Sequence, residues 1–210
     1  MADAPELDLS AAALLVLDFQ NDFFEPDGYL GRIGVPRLED TAREAVVERA
    51  AELIAQFKVA GRPVIWAPTV LRHDYIDCAL PFRTMRALRL PCDDECLVDG
   101  TKGAEFVPGL VPDEGELLVP KKGGSAFQFT PLDRLLANLG VTTCVAISPG
   151  LLDGLADTVR HGGAFGYDMV VVPDACGYAP ASPHLRTLEK RATFATSDQV
   201  IAALPRSGPI

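Results

Sequence analysis

Two ionisable side chains of this 210-residue chain have the types and positions expected of a proton-transfer site. Asp18 ends the apolar run 12–18, and Lys121 follows the short apolar run 117–120. A carboxylate at the end of a buried strand is partly desolvated, which suits proton transfer. An ammonium beside it would hold the carboxylate and stabilise developing negative charge. The alternatives are an aspartate that caps the following turn and a solvated lysine beside Lys122.

The elements that must position these side chains alternate between strand and helix. Apolar runs predict strands over 12–18, 63–67, 117–120, 142–147, 169–173 and 192–196. Helical spacing predicts helices over 38–60, 131–139 and 151–165, with further helices beginning at Pro183 and Ser197. This order indicates an α/β fold in a single domain over residues 1–210. We expect a three-layer α/β/α sandwich around a mostly parallel, six-stranded, Rossmann-like sheet.

Ligands of such folds bind beyond the carboxyl ends of the strands. We therefore expect Asp18, Lys121 and the segment 148–154, each of which follows a predicted strand, to converge at one edge of the sheet.

The net charge of the chain disfavours some classes of ligand. Nineteen basic and twenty-nine acidic residues give a formal net charge of −10, which disfavours nucleic acids and anionic membrane surfaces as partners. No apolar run approaches the ~20 residues that span a bilayer, and the acidic N-terminus does not have the pattern of a signal peptide. We expect a cytoplasmic protein that acts on a small molecule.

Five cysteines are present, and their number and spacing predict neither a disulfide framework nor a metal site. They are Cys78, Cys92, Cys96, Cys144 and Cys176. The count is odd in a chain that is not cysteine-dense. The C-x3-C pair has no nearby partners, and His73-Asp74 stands without a third ligand. We predict no metal and no cofactor.

Several segments resemble the isochorismatase-like hydrolase superfamily, which includes the cysteine amidases. They are LLVLDFQNDFF, GTKGAEFVPGLVPDEGELLVPKKGGSAFQFTPLDRLL and GYDMVVVPDACG, in the family's order. The resemblance implies a parallel sheet flanked by helices, a homodimer or homotetramer, and a site of Asp, Lys and, in most members, Cys. Asp18 matches the family aspartate, and Lys121, four residues before Ser125, matches the family lysine.

The position of the family's nucleophile is occupied by glycine. Counting forward from Lys121 and back from Gly166-Tyr167 both lead to Gly154. Glycine has no side chain, so a covalent thiolate mechanism is not expected. The true isochorismatases, which hydrolyse a vinyl ether with an aspartate as the acid, resemble this chain in carrying glycine there. The resemblance thus implies Asp18 as general acid or base, Lys121 as its electrostatic partner and Gly154 as space for substrate or water.

Isochorismate itself is not the expected substrate, because Gly123-Gly124 replaces the Arg-Tyr of those enzymes. Further candidates for substrate contacts are Gln20, Phe23, Trp66, Phe127, Pro149 and Gly150. Core packing is the commoner role for each of these aromatic residues, and a surface turn is the commoner role for a residue such as Gln20. Two other interpretations stay open: a catalytically silent small-molecule-binding or interaction protein on the same fold, and a Cys-to-Gly variant of a C–N amidohydrolase.

Overall fold

The computed structural model of the chain describes residues 6–32, 34, 38–79, 95–149, 152–177 and 188–206. Its strands are β1 (Ala12–Leu17), β2 (Val64–Ala67), β3 (Leu117–Leu118), β4 (Thr143–Ile147), β5 (Asp168–Val171) and β6 (Thr193–Phe194). Its helices are α1 (Asn21–Phe24), α2 (Tyr29–Arg32), α3 (Asp40–Val59), α4 (Leu132–Asn138), α5 (Leu152–Phe165) and α6 (Ser197–Ala203). The helix predicted from Pro183 lies outside the described residues.

All six strands form one parallel sheet in the order β3-β2-β1-β4-β5-β6. This confirms the predicted parallel, six-stranded α/β fold. The outer strands β3 and β6 have only two residues each, which is shorter than predicted. The two central strands, β1 and β4, are buried along their whole length, which explains their continuous apolar sequences.

The strand order makes the space between β1 and β4 a topological switch point. From β1 the chain crosses through α3 to β2 on one side, and from β4 it crosses through α5 to β5 on the other. Right-handed crossovers that lead in opposite directions put α3 and α5 on opposite faces of the sheet. At such a switch point the connections diverge and leave a crevice at the carboxyl ends of the strands.

Glycine ends the two long helices that feed into strands. Gly61 follows α3 with φ 66° and Gly166 follows α5 with φ 94°. In each case the glycine and the next residue donate backbone hydrogen bonds to the last helical turn, for example from Arg62 N to Phe57 O at 2.8 Å. This left-handed cap favours glycine and turns the chain towards the next strand.

A second, smaller core lies beside the main one and was not expected from the sequence. It contains Tyr29, Leu30, Leu71, Tyr75, Cys96, Leu97 and Val98. The buried carboxylate of Asp22 joins its segments, since its oxygens accept from the backbone N–H of Tyr29 at 2.9 Å and of Leu97 at 2.7 Å. Helices α1 and α2 have four residues each, too few to produce a periodic apolar pattern.

Across the described ranges, no helix has the length and apolar character that crossing a membrane requires.

Candidate active site

Asp18 stands directly after β1 with a left-handed backbone. Its φ is 56°, a conformation that few residues other than glycine adopt but that aspartate tolerates better than most. Its N–H continues the ladder to Ala67 O at 3.3 Å, while its own carbonyl accepts from Gln20 N at 2.6 Å. The carboxylate is therefore turned at the point where the strand ends. Such backbone outliers cluster at functional sites.

Lys121 meets that carboxylate below the protein surface. Its Nζ lies 2.8 Å from Oδ2 of Asp18, and both side chains are 2% exposed. The same nitrogen donates to Thr69 Oγ1 at 2.6 Å and to the carbonyl of Gly123 at 2.9 Å. An ammonium has three N–H donors, and all three are used here. A buried ion pair is tolerated when its remaining hydrogen-bonding capacity is satisfied in this way.

Thr69 bonds to both members of the Asp18–Lys121 pair and was not among the residues predicted from the sequence. Its hydroxyl donates to Oδ1 of Asp18 at 2.7 Å, and the residue is buried. One signal could have found it: Thr69 follows β2 by two residues, and β2 lies next to β1, so the rule that led to Asp18 and Lys121 applies to it equally.

Gly154 faces the same carboxylate from the first turn of α5. A β-carbon at this position would lie 3.2 Å from Oδ2 of Asp18 and 3.4 Å from the carbonyl oxygen of Gly124. The carbonyl of Gly154 accepts from Thr158 Oγ1 at 2.7 Å, and that hydroxyl accepts from Ala126 N at 3.0 Å. This chain of bonds ties the start of α5 to the segment after Lys121. Asp18, Lys121 and Gly154 thus meet at the switch point.

The two glycines after Lys122 allow close packing at the edge of the site. A β-carbon on Gly123 would lie 2.8 Å from that of Ala79, and one on Gly124 would lie 2.9 Å from Oδ2 of Asp157. Larger residues here would displace the neighbouring segment or the Asp157 side chain, which pairs with Arg160 at 2.9 Å.

Trp66 and Phe127 pack in the core rather than lining a pocket. The indole of Trp66 is fully buried, donates to Glu116 Oε2 at 2.9 Å and meets Phe106 edge-on. The Phe127 ring stacks on Phe165 and Tyr167 at centroid distances of 5.5 and 5.7 Å. Phe165 ends α5, about 16 Å along the helix from Gly154 at 1.5 Å per residue.

The remaining predicted contacts separate into three outcomes. Gln20 is fully buried, and its amide bonds to the backbone of Thr69 and to Ala104 O, so it contacts the protein instead of a substrate. Phe23 is half-buried against the second core. Pro149 is buried after β4, and Gly150 lies outside the described residues.

Directly before Pro149, the Ser148 hydroxyl is buried and has no hydrogen-bond partner in the described part of the chain. Such a group is one that a bound water or a substrate would satisfy.

The described cysteines are unsuited to replace a nucleophile at Gly154. Burial raises the pKa of Cys144 to about 12. Burial also raises the pKa of Cys176 to about 12, so both thiols stay protonated at neutral pH. Cys96 and Cys78 belong to the second core, and Cys92 lies outside the described residues. Among the residues described, no group of three or more His, Cys, Asp or Glu could hold a metal ion.

A parallel α/β sheet with a buried Asp–Lys pair beyond the carboxyl ends of its strands places ionisable groups where proteins of this class bind small molecules. The isochorismatase domain model matches residues 12–199, and the chain belongs to the isochorismatase family of hydrolases.

Curated relatives carry the name of one amidohydrolase. The ureidoacrylate amidohydrolase RutB of Methylorubrum extorquens (strain AM1) is 31% identical over 178 residues, which cover 80% of this chain and 70% of that protein. RutB of Klebsiella pneumoniae is 28% identical over 194 residues, covering 87% and 80%.

Solved structures show the same fold. An isochorismatase family protein from Desulfovibrio vulgaris superposes with a TM-score of 0.74 at 28% identity, covering 91% of this chain and 98% of that one. The N-carbamoylsarcosine amidase from Thermoplasma acidophilum gives a TM-score of 0.68 at 25% identity, covering 89% and 96%.

Proposed function

We propose that this chain hydrolyses a small molecule without forming a covalent enzyme intermediate, with Asp18 as the acid–base group, Lys121 as its electrostatic partner and water entering beside Gly154. The substrate class that this chemistry favours is an enol (vinyl) ether. The observation that carries the proposal is the direct approach of Gly154 to Oδ2 of Asp18, with no side chain at residue 154 to attack a substrate.

Enol ether hydrolysis needs only the groups that surround this space. Protonated Asp18 transfers its proton to the terminal enol carbon, and the remaining cation is an oxocarbenium ion. Water adds to that ion and returns a proton to Asp18, and the resulting hemiacetal or hemiketal collapses to a carbonyl compound and an alcohol. Lys121, 2.8 Å from Oδ2, stabilises the carboxylate that remains after the first proton transfer.

Amide or urea hydrolysis makes a larger demand on the site. Resonance lowers the electrophilicity of such carbonyl carbons. Enzymes commonly overcome this with a side-chain nucleophile that forms an acyl-enzyme intermediate. Cys144 and Cys176 are buried and protonated, and glycine occupies residue 154. An enol ether avoids this difficulty because proton transfer itself creates the electrophile.

The second candidate is C–N hydrolysis by direct attack of water, with Asp18 as general base. It is favoured by the relatives, which are named ureidoacrylate amidohydrolase and N-carbamoylsarcosine amidase. Under this alternative Asp18 removes a proton from water while the water attacks a ureido carbon. Asp18 then gives that proton to the nitrogen, which leaves as the amine or ammonia.

A panel of aryl vinyl ethers, N-carbamoyl amino acids and simple esters separates these candidates. In D2O the proposed route places one deuterium on the former enol carbon, and in H2O the intact mass of the protein shows no covalent adduct during turnover. We expect Asp18→Asn to lower kcat by about 10²- to 10⁴-fold, whereas the exposed Asp113→Asn serves as a control.

Each other outcome of the panel has a definite meaning. Full activity in Asp18→Asn would overturn the mechanism. Turnover of N-carbamoyl compounds alone would favour the second candidate. Binding of a metabolite without any turnover would favour a silent binding protein.

We expect the homodimer or homotetramer implied by the resemblance, and sedimentation analysis of the purified protein tests this expectation.

A further inference from the structure

We propose that Thr69 is a positioning residue that directs proton uptake by Asp18 to Oδ2, the oxygen that faces Gly154. This inference rests on the proposed role of Asp18 in proton transfer. What it adds to the roles of Asp18 and Lys121 is the direction of two hydrogen bonds, from Lys121 to Thr69 and from Thr69 to Asp18.

The direction follows from counting donors. An ammonium only donates, so Thr69 Oγ1 must accept from Lys121 Nζ across their 2.6 Å contact. The hydroxyl has one proton, and its other close contact is Oδ1 of Asp18 at 2.7 Å. That proton therefore points at Oδ1, which must remain an acceptor.

The two carboxylate oxygens consequently differ. Oδ1 accepts the hydroxyl proton of Thr69, whereas Oδ2 accepts from Lys121 and also lies beside residue 154. A carboxylate oxygen has two lone-pair positions, so each oxygen of Asp18 has one in use and one free. Because Thr69 holds Oδ1 away from residue 154, a proton that comes from a substrate or water there reaches the free position on Oδ2.

The backbone of Thr69 is locked from two sides. The Gln20 amide accepts from Thr69 N at 2.8 Å and donates to Thr69 O at 2.8 Å, as a neighbouring strand would. On the other side, Thr69 forms a parallel bridge with Lys121. This gives buried Gln20 an indirect role: it fixes Thr69, which in turn fixes the carboxylate of Asp18.

The test uses three variants. Thr69→Val keeps the shape but removes the hydroxyl, and Thr69→Ser restores it. Thr143→Val is the matched control, because Thr143 is also buried and its hydroxyl donates to a backbone carbonyl, Asp8 O at 3.1 Å, at the opposite edge of the sheet.

The primary readout needs no substrate. Lys121 is the buried one of the five lysines, so its ¹⁵N-labelled ammonium group should exchange protons slowly and give an NMR signal that Lys121→Arg removes. We expect Thr69→Val to speed this exchange roughly 10- to 100-fold, the range expected for one lost hydrogen bond to a charged group. Thr69→Ser and Thr143→Val should keep the wild-type rate. Unchanged exchange in Thr69→Val, or equal loss in Thr69→Ser, would overturn the inference.

A kinetic readout separates this inference from the proposed function. With the panel compound that is turned over fastest, Thr69→Val should lower kcat and leave KM unchanged, and Thr69→Ser should recover kcat. If Asp18→Asn abolishes turnover while Thr69→Val does not alter kcat, the role of Thr69 is wrong and the mechanism stands. If Asp18→Asn stays active, the mechanism itself is wrong, whatever Thr69→Val does.

Discussion

A β-carbon on Gly154 would lie 3.2 Å from Oδ2 of Asp18, so residue 154 and the carboxylate are in direct contact. This relationship decides between two kinds of chemistry at one site. With a thiol at residue 154, the carboxylate would stand beside a nucleophile. With glycine, residue 154 has no side chain that could attack a substrate.

Gly154→Cys should therefore convert the site from a water route to a covalent route. The tightest contacts of the new β-carbon, at 3.2 and 3.4 Å, need shifts of a few tenths of an ångström, so we expect the variant to fold. Its thiol would lie beside the Asp18–Lys121 pair, where a carboxylate can accept the thiol proton. We expect an N-carbamoyl compound to leave a covalent carbamoyl group on the protein, measured by intact-mass spectrometry.

Gly163→Cys is the matched control for this experiment. Gly163 lies on the same helix, and a β-carbon there meets nothing within 4 Å. It should gain a thiol but no carbamoyl adduct. An adduct on both variants, or on neither, would contradict the assignment of residue 154 to the reacting site.

The buried Asp18–Lys121 pair should show strong coupling in stability. Asp18→Asn leaves the buried ammonium of Lys121 without its counter-charge. Lys121→Met leaves the buried carboxylate of Asp18 without its counter-charge. We expect each single variant to lose about 3–5 kcal/mol of unfolding free energy. The double variant should lose much less than the sum of the two, as measured by urea denaturation.

An exposed pair provides the comparison. Asp157 and Arg160 form an ion pair at 2.9 Å with side chains that are 44% and 49% exposed. Because solvent screens such pairs, the double-mutant cycle of Asp157 and Arg160 should give a coupling free energy of less than about 1 kcal/mol. Equal coupling in both cycles would contradict the role of burial.

Gly177→Ala should destabilise the protein by forcing apart the loops that follow β4 and β5. A β-carbon on Gly177 would overlap the carbonyl oxygen of Pro149, which belongs to the backbone and cannot rotate away. Overpacking of this kind costs about 1–3 kcal/mol. Thermal denaturation measures the loss, and Gly163→Ala, in open space within α5, should instead be neutral or stabilising. If both variants melt alike, the close approach of Gly177 and Pro149 is wrong.

The pattern of apolar runs was sufficient to predict the sheet, because β1 and β4 are buried throughout and their sequences show it. The rule that ligands bind beyond the carboxyl ends of the strands was likewise sufficient to predict that Asp18 and Lys121 lie close together. The same rule admits Thr69, but what separates it from other residues that follow a strand is its bond to Asp18, which depends on the left-handed turn of the aspartate. An aspartate's φ cannot be read from its sequence neighbours.

For Trp66 the structure supports core packing, the alternative to a substrate contact. The residue stands at the carboxyl half of β2, near the edge of the sheet where ligands of such folds bind. The side chains of a strand alternate between the two faces of the sheet, and the rule does not say which face a residue takes. In the structure the indole reaches Glu116, whose carboxylate satisfies the buried N–H.

The two buried thiols should make the protein sensitive to alkali. Burial raises the pKa of Cys144 and of Cys176 from 9.0 to about 12. Because the folded protein binds these protons more tightly than the unfolded chain, the thiols' contribution to stability is fully present below pH 9. It is lost as the pH rises from 9 towards 12, at up to about 1.4 kcal/mol per pH unit for each thiol. Tyr167, whose pKa burial also raises to about 12, acts in the same direction.

Urea denaturation at pH 7 to 11 measures this loss, with the double variant Cys144→Ala/Cys176→Ala as the comparison. The variant should be less stable at neutral pH, since it leaves small cavities, but its stability should fall less steeply above pH 9. Tyr167→Phe in the same background should flatten the remaining dependence further. Parallel curves for the wild type and the double variant would mean that these thiols ionise as freely in the folded protein as in the unfolded chain.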